Sequence, residues 1–209
     1  MKSWFFRPHH PPLSKNVSIP DSCQFQIRAA TSADLPGIAQ IIAESFHSQT
    51  GLWGWVFPLL RLGIYEDMRY RFSSMTSHHV CLVACDVSDS GNHQILGTIE
   101  ISVRLSDSWV NVRQSFPYLS NLAVHPQYRR QGLASSLLTR CEQVCRDWGF
   151  EDLYLHVLEN NDQARQLYFK MGYQEERVES SWDRFIFLNS RQIFLHKHIS
   201  KYPHVTEDR

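Results

Sequence analysis

The chain has 209 residues, 43% of them hydrophobic, and its 21 basic residues balance 21 acidic residues. This is enough apolar material for one substantial core, and the zero net charge argues against bulk attraction to nucleic acid. Five cysteines cannot all pair with one another, and four of them fall in predicted strands and helices, which favours buried free thiols. The best apolar run, residues 53–65, is interrupted by Arg61 and is too short to span a membrane.

Residues 1–24 are rich in proline, and the first twenty residues contain three basic residues and no acidic one. Proline fixes φ and removes a backbone donor, so this composition predicts an irregular arm. An organellar transit peptide is also basic, serine-containing and poor in acids. Both interpretations stay open. We favour the arm, and with it a cytoplasmic location over the plastid stroma.

From residue 25 onward, apolar residues alternate between strand and helix periods. Leu35, Ile38 and Ile42, for example, share one helix face behind a capping Thr31. The pattern predicts one α/β domain over residues 25–200 and a short tail at 201–209, with an unpatterned loop at 105–116. Predicted strands cover 25–30, 79–87, 94–103, 117–124, 152–158, 173–187 and 192–198, and predicted helices cover 31–46, 59–74, 131–148 and 161–171.

The most informative stretch follows the strand predicted at 117–124. A His125-Pro126 break leads into Arg129, Gly132 and Ala134 at the start of a long predicted helix. The first N–H groups of a helix have no partner inside it, and the helix dipole is positive there, so both favour an anion. Small residues let a ligand approach the backbone. The pattern predicts a pyrophosphate-binding turn; an ordinary strand-to-helix turn is the alternative.

A second informative segment, ENNDQARQLYFKMGY, runs from Glu159 to Tyr173. Together with the preceding RRQGLA turn, its N-x-x-A-x-x-L-Y-x-x-x-G-Y pattern resembles the acetyl-coenzyme A site of the GNAT superfamily of N-acetyltransferases. Either motif alone is weak, but strand, turn, helix and second segment in this order make the combination specific. The resemblance covers roughly residues 25–194.

The resemblance implies a mixed, mostly antiparallel sheet with flanking helices, in which a central parallel pair, strands 117–124 and 152–158, splays apart. The pantetheine arm of acetyl-coenzyme A would lie in that gap against exposed strand backbone, with an N–H near Leu122 facing the thioester oxygen. The cofactor residues implied on this basis are Leu122, Ala123, Val124, Arg129, Arg130, Gln131, Gly132, Leu133, Ala134, Ser135, Asn161, Ala164 and Tyr168.

Three side chains are candidates for catalysis. Tyr168 stands where the family usually has a tyrosine beside the departing sulfur, which a phenol can protonate; a core tyrosine is the alternative. His156 interrupts an otherwise apolar strand, where a histidine is costly without a partner. With Tyr118 on the neighbouring strand, it resembles the pair that orders water and relays the amine proton in some protein N-terminal acetyltransferases.

Glu100 is a reserve candidate for the base. Histone lysine acetyltransferases of this superfamily carry a glutamate where this chain has Tyr118, so the chain departs from that branch. Glu100 lies on the preceding predicted strand and could substitute for that glutamate. A solvated or paired strand carboxylate is the favoured alternative.

The acceptor end is expected between residues 49–60 and 180–192, where Trp53, Trp55 and Phe57 could form an apolar lip or simply pack in the core. The Tyr118 and His156 match favours a protein amine as acceptor, either an α-amino terminus or additionally lysine. The expected partner is therefore a peptide or protein. The protein itself is expected to be a monomer or a homodimer. A small amine such as a polyamine, amino acid or aminoglycoside is the alternative, and a non-catalytic coenzyme A sensor is a third. The histidine tracts have no Cys or acidic ligands at useful spacing, so no metal site is expected.

Overall fold

The computed structural model describes residues 25–46, 57–73, 78–87, 94–105, 115–176 and 192–199. The strands are β1 Phe25–Ala29, β2 His79–Asp86, β3 Ile95–Leu105, β4 Ser115–Val124, β5 Asp152–Leu158, β6 Gln174–Glu175 and β7 Gln192–His198. The helices are α1 Leu35–Phe46, α2 Phe57–Ser73, α3 Leu133–Asp147 and α4 Asp162–Lys170, with short 3-10 turns at Ser32–Asp34 and Pro126–Tyr128.

The seven strands form one sheet in the order β1-β2-β3-β4-β5-β7-β6. All neighbours are antiparallel except β4 and β5, which run parallel. The parallel pair is connected through α3, as a crossover between parallel strands requires. The mixed, mostly antiparallel sheet with one central parallel pair is thus confirmed.

Two apolar cores lie on opposite faces of this sheet. On one face, the α3 stripe that includes Leu137, Leu138 and Cys141 packs against strand residues such as Ile99 and Leu119. On the other face, α1 and Met68 of α2 pack against alternate residues of β2. The period-2 alternation of the strands and the 3.6-residue period of the helices make this three-layer arrangement possible.

A bulge in β4 separates the parallel strands. Pairing with β3 shifts between Thr98–Ala123 and Glu100–Ser120, so two residues of β4, Asn121 and Leu122, oppose one residue of β3. Asn121 has a φ of 54°, in the left-handed region that asparagine tolerates better than most residues. The extra residue inverts the alternation: Leu119 packs on the α3 side, whereas Ala123 packs on the α1 side.

Pairing between β4 and β5 stops just before the bulge. Only the Tyr118–Tyr154 and Leu119–Leu155 positions pair, and beyond them the strands diverge. Ala123 and Val124 therefore pair with β3 on one side, and the segment from Leu122 to Val124 faces a gap on the other. The splayed strand pair implied by the sequence is present.

Some predicted boundaries were wrong. The predicted loop at 105–116 is shorter, because β3 extends to Leu105 and β4 begins at Ser115. Helix α3 begins at Leu133 rather than 131, because Gly132 is its N-cap with a φ of 85°. The strand predicted at 173–187 is described only at Gln174–Glu175, and the arm at 1–24 and the tail at 201–209 lie outside the described residues.

Candidate active site

The turn between β4 and α3 presents backbone and positive charge to solvent. Gly132 caps α3 without any side-chain hydrogen bond, so the first amides of the helix, from Leu133 to Ser135, have no partner within the helix. Arg129 and Arg130 are exposed on the same turn, and Arg129 Nε donates to the Val124 carbonyl at 3.2 Å. Arg130 adopts a φ of 64°, which orients consecutive amides of the turn. This arrangement suits an anionic ligand such as a pyrophosphate.

Gln131, Ala134 and Ser135 complete the turn. The Gln131 carboxamide donates to the Gln127 carbonyl at 3.2 Å, which ties the turn to the preceding 3-10 helix. A Cβ added at Gly132 would meet nothing within 4 Å, so its positive φ, and not crowding by the protein, is what requires glycine there. The space above the turn is therefore open to a ligand.

Helix α4 follows β5, the strand that diverges from β4. Asn161 caps this helix, since its Oδ1 accepts from the Ala164 N–H at 3.1 Å. The carboxamide of Asn161 also carries an NH2 group, a donor that this capping bond does not use. Tyr168 is buried on the same helix and packs edge-on against Tyr173, with ring centroids 5.7 Å apart.

Tyr168 keeps its proton firmly. Burial raises the pKa of its phenol far above the ordinary value of 10, and the nearby Tyr118 raises it further. A phenol of this kind donates a hydrogen bond to a departing thiolate more readily than it surrenders its proton.

Tyr118 and His156 form a direct pair where β4 and β5 begin to diverge. The Tyr118 hydroxyl lies 3.0 Å from His156 Nδ1, and the ring centroids are 5.7 Å apart. His156 also packs on Phe194 of β7, at 4.6 Å between centroids. Tyr118 is buried while His156 remains exposed to solvent, so the pair connects the sheet interior with water.

Arg104 adds a positive charge to this pair. Its guanidinium carbon lies 3.5 Å from the centroid of the Tyr118 ring, a cation–π contact. Desolvation of the imidazole, and then repulsion from Arg104, lower the pKa of His156 below 6.5. Burial raises the pKa of Tyr118, and Arg104 opposes that rise. His156 is consequently neutral at pH 7 and able to accept a proton.

Glu100 is poorly suited to be the base. Its side chain is 2% exposed and contacts Arg71, His79 and Asn121. Burial raises the pKa of the carboxyl, but the hydrogen bond from His79 and the attraction of Arg71 outweigh burial and leave the pKa below 4.5. The carboxylate is a paired strand residue, the alternative that the sequence favours, and it is shielded from solvent.

Two residues of the site were not singled out from the sequence. Asn121 holds the bulge, and its residue type is the signal that could have found it, because asparagine within an apolar strand is prone to positive φ. Arg104 contacts Tyr118 across the β3–β4 register, which no local pattern reveals. The Ser120 hydroxyl, next to the bulge, is buried without a hydrogen-bond partner among the described residues.

Part of the predicted acceptor end falls on residues that the structure does not describe. Trp53, Trp55 and the loop at 180–191 lie outside the described residues, as does the side chain of Phe57.

Within the described ranges, no helix is long and apolar enough to cross a membrane, and no cluster of three or more His, Cys, Asp or Glu could hold a metal ion. Four described cysteines, Cys81, Cys85, Cys141 and Cys145, are free and buried.

Comparison with known proteins places this site in a family. The profile described as "Acetyltransferase (GNAT) family" matches residues 42–173, which include the bulge, the turn between β4 and α3, and α4. The chain therefore belongs to the GNAT family of acetyltransferases. It is an N-acetyltransferase by class, with acetyl-coenzyme A as its co-substrate.

Individual relatives extend the comparison. GCN5-related N-acetyltransferase 10, chloroplastic, of Arabidopsis thaliana is 27% identical over 174 residues, covering 78% of this chain and 67% of that protein. Thialysine N-epsilon-acetyltransferase of Bos taurus is 36% identical over 70 residues, covering 34% of this chain and 41% of that enzyme.

Solved structures share the fold. Arabidopsis thaliana NAA60 in complex with a bisubstrate analogue aligns with a TM-score of 0.64 at 18% identity, covering 86% of this chain and 100% of that one. The same protein with acetyl-CoA aligns with a TM-score of 0.61 at 16% identity, covering 84% and 99%. At this identity, the likeness establishes the fold.

Proposed function

We propose that the protein transfers acetyl from acetyl-coenzyme A to a protein amine, an N-terminal α-amine first and a lysine second. The amine attacks the thioester directly while both substrates are bound. The observation that carries this proposal is the 3.0 Å contact between the Tyr118 hydroxyl and His156 Nδ1 beside the gap between β4 and β5. A phenol and an imidazole in contact can pass a proton from one side of the pair to the other.

The relay moves one proton outward in balanced steps. The ammonium gives a proton to an ordered water, and the water passes a proton to the Tyr118 oxygen as the phenol proton moves to His156 Nδ1. The imidazolium that results is disfavoured by Arg104 and by partial desolvation, so it releases the proton to solvent on the exposed side of His156. The neutral amine then attacks the thioester carbon: the C–N bond forms, the C–S bond breaks, and the second proton lost by the nitrogen goes to the departing thiolate, so that coenzyme A leaves as the thiol.

On the cofactor side, backbone does most of the binding. The free edge from Leu122 to Val124 would bind the pantetheine arm, and the amides at the α3 N-terminus would bind the pyrophosphate with Arg129 and Arg130. Tyr168 would donate a hydrogen bond to the sulfur as the C–S bond breaks. Asn161 and Ala164 would contact the pantetheine arm from α4.

The relay suits an α-amine best. With a pKa of about 7.9, an α-amine costs about 0.5 kcal/mol to deprotonate at pH 7.5, whereas a lysine with a pKa of about 10.4 costs about 4 kcal/mol. Tyr118 and His156 give the amine proton one route to solvent. Neither side chain carries a negative charge that would attract the ammonium group of a lysine. We therefore expect α-amines to be better acceptors than lysines.

A small amine is the second candidate. The similarity to a thialysine N-epsilon-acetyltransferase supports it, although that match is confined to a third of this chain. A small cationic acceptor needs acidic groups around its amine, and the described carboxylate closest to the bulge, Glu100, is already paired with Arg71. A protein amine therefore fits the described site better.

The experiment is acetyl transfer from labelled acetyl-coenzyme A to two peptide sets, one with free α-amines and blocked lysines, the other with acetylated N-termini and free lysines. Spermidine, thialysine and free amino acids run beside them. The proposal predicts turnover on peptides with higher kcat/KM for free α-amines. Turnover on the small amines alone contradicts it, and binding of acetyl-coenzyme A without turnover on any acceptor supports a sensor.

For location, the chloroplastic relative supports the plastid stroma over the cytoplasm, and so does the basic, acid-free composition of residues 1–20. We therefore infer a plastid location, in place of the cytoplasmic location that goes with an irregular arm. A fluorescent fusion of the full chain, compared with one lacking residues 1–24, tests this. Stromal fluorescence that depends on residues 1–24 is expected, and cytoplasmic fluorescence of the full chain overturns it.

A further inference from the structure

The Glu100 cluster joins three elements of the fold at one buried carboxylate. Arg71 of α2 donates through Nη1 to both carboxylate oxygens at 3.0 Å, and His79 Nε2 of β2 lies 2.5 Å from Oε1. Asn121 of β4 donates through Nδ2 to Oε2 at 2.6 Å. A buried carboxylate with this many donors is fixed in place, because moving it would leave charge and donors unpaired.

Asn121 is the residue that this carboxylate holds in the bulge. Its φ of 54° is unfavourable for a residue with a side chain, even for asparagine, and needs support from its surroundings. The bond to Glu100 supplies that support from β3. The residues paired on either side of the bulge, Ser120 with Glu100 and Ala123 with Thr98, belong to the same two strands.

The bulge, in turn, sets both halves of the active site. Tyr118 lies three residues before it, on the last part of β4 that pairs with β5, and the free edge from Leu122 to Val124 follows it directly. A change in the Asn121 conformation would rotate that edge and move the N–H groups that face the gap. Misplacement of this size is enough to reduce a rate strongly.

We propose that Glu100 is a positioning residue for acetyl transfer: anchored by Arg71 and His79, it holds Asn121 in the left-handed conformation and so fixes the β4 backbone that receives the thioester. This inference rests on the proposed binding of acetyl-coenzyme A in the gap. Through Arg71 it also ties the cofactor-binding bulge to α2, the helix that follows the expected acceptor segment.

The test compares Glu100→Gln with Asp34→Asn. Asp34 is a second shielded carboxylate, 9% exposed and paired with Arg28, and the Arg28–Asp34 pair bridges β1 and the turn before α1, away from the bulge. Both variants should lose thermal stability. Only Glu100→Gln should lower kcat, by about ten- to a hundred-fold, and weaken coenzyme A affinity, with the pH profile of kcat/KM unchanged in shape.

Asn121 variants test the route and leave the carboxylate paired with Arg71 and His79. Asn121→Gly accepts the positive φ but loses the tether, whereas Asn121→Ala loses both, so kcat should fall more for alanine than for glycine. In the Asn121→Gly background, Glu100→Gln should add little further loss, because the effect passes through the missing tether.

Three results overturn the inference. They are wild-type kcat and coenzyme A affinity in folded Glu100→Gln, loss of the acidic limb of the pH profile in that variant, which would make Glu100 the base, and equal kcat for Asn121→Gly and Asn121→Ala. If the wild type turns over no amine, the proposed function fails on its own. Coenzyme A affinities measured by calorimetry still decide the role of Glu100 in that case.

Discussion

Two histidines on one face of the sheet show how a partner decides the role of an imidazole. Cross-strand pairing puts His79, Ser102, Tyr118 and Tyr154 in one row, and His156 lies two residues beyond Tyr154 on the same face. His156 contacts a phenol near a guanidinium and reaches solvent, so its proton can move. His79 contacts the buried carboxylate of Glu100 and is 13% exposed, so its contact anchors that carboxylate and relays no proton.

The largest expected effect separates these two histidines. His156→Gln should lower kcat by roughly a hundred-fold or more, because the proton acceptor of the relay is lost, with little change in coenzyme A affinity. His79→Gln should lower thermal stability and keep kcat within about threefold, because glutamine can still donate to Glu100. Steady-state kinetics and calorimetry on both variants check this. Equal losses of kcat would remove the distinction between the two sites.

The next effect tests binding of acetyl-coenzyme A at the start of α3. Gly132→Glu should weaken acetyl-coenzyme A binding by about a hundred-fold, because a carboxylate at the α3 N-terminus repels the pyrophosphate. Gly149→Glu is the matched control, since Gly149 also has a positive φ, 82°, and open space, but near the other end of α3. Both variants should lose stability, of order 1 kcal/mol from the positive φ, and Gly149→Glu should lose somewhat more because a carboxylate is unfavourable at a helix C-terminus. Normal cofactor affinity in folded Gly132→Glu would refute the phosphate turn.

A smaller effect is expected at Tyr168. Tyr168→Phe should lower kcat by roughly ten-fold and leave cofactor affinity almost unchanged, because the phenol acts only as the sulfur departs. With the same acceptor amine, acetyl thioesters of more acidic thiols should show a smaller loss of kcat in Tyr168→Phe, because a more acidic thiol leaves without needing as strong a hydrogen bond. Unchanged kcat with the natural cofactor would remove Tyr168 from the reaction.

The smallest effect is a shift in pH dependence. Arg104 is the second cause, after desolvation, of the lowered pKa of His156, so Arg104→Met should raise that pKa toward 6.5. His156 must be neutral to accept a proton, so the acidic limb of the kcat/KM profile should move to higher pH. Arg104→Lys keeps the charge and should move it less. A limb that stays in place in Arg104→Met would show that His156 does not control it.

The turn between β4 and α3 is well predicted from the sequence, because its shape depends on local backbone. Gly132 needs a positive φ at a helix start, and the apolar stripe of α3 has a clear 3.6-residue period, so both are visible without tertiary information. The Tyr118 and His156 pair was reached only through family resemblance. Nothing local specifies that residues 38 positions apart meet at 3.0 Å.

The remaining features depend on tertiary pairing. The position of the bulge at Asn121 follows from the β3–β4 register, which the hydrophobic pattern of either strand alone leaves open. Glu100 has the same sequence environment whether it is a base or a paired carboxylate, and only the approach of Arg71 from α2 decides between them. The boundary error at Ser115 has a related cause, since pairing with β3 extends β4 beyond its apolar pattern.

The most direct test of the relay is a double-mutant cycle on Tyr118 and His156, with kcat/KM measured for a free α-amine peptide. Tyr118→Phe, His156→Gln and the double variant are compared with the wild type, with cofactor affinity as the control for folding. If the two side chains act as one relay, the double variant should be about as slow as the worse single variant. Losses that multiply would show that Tyr118 and His156 act independently and would contradict the account.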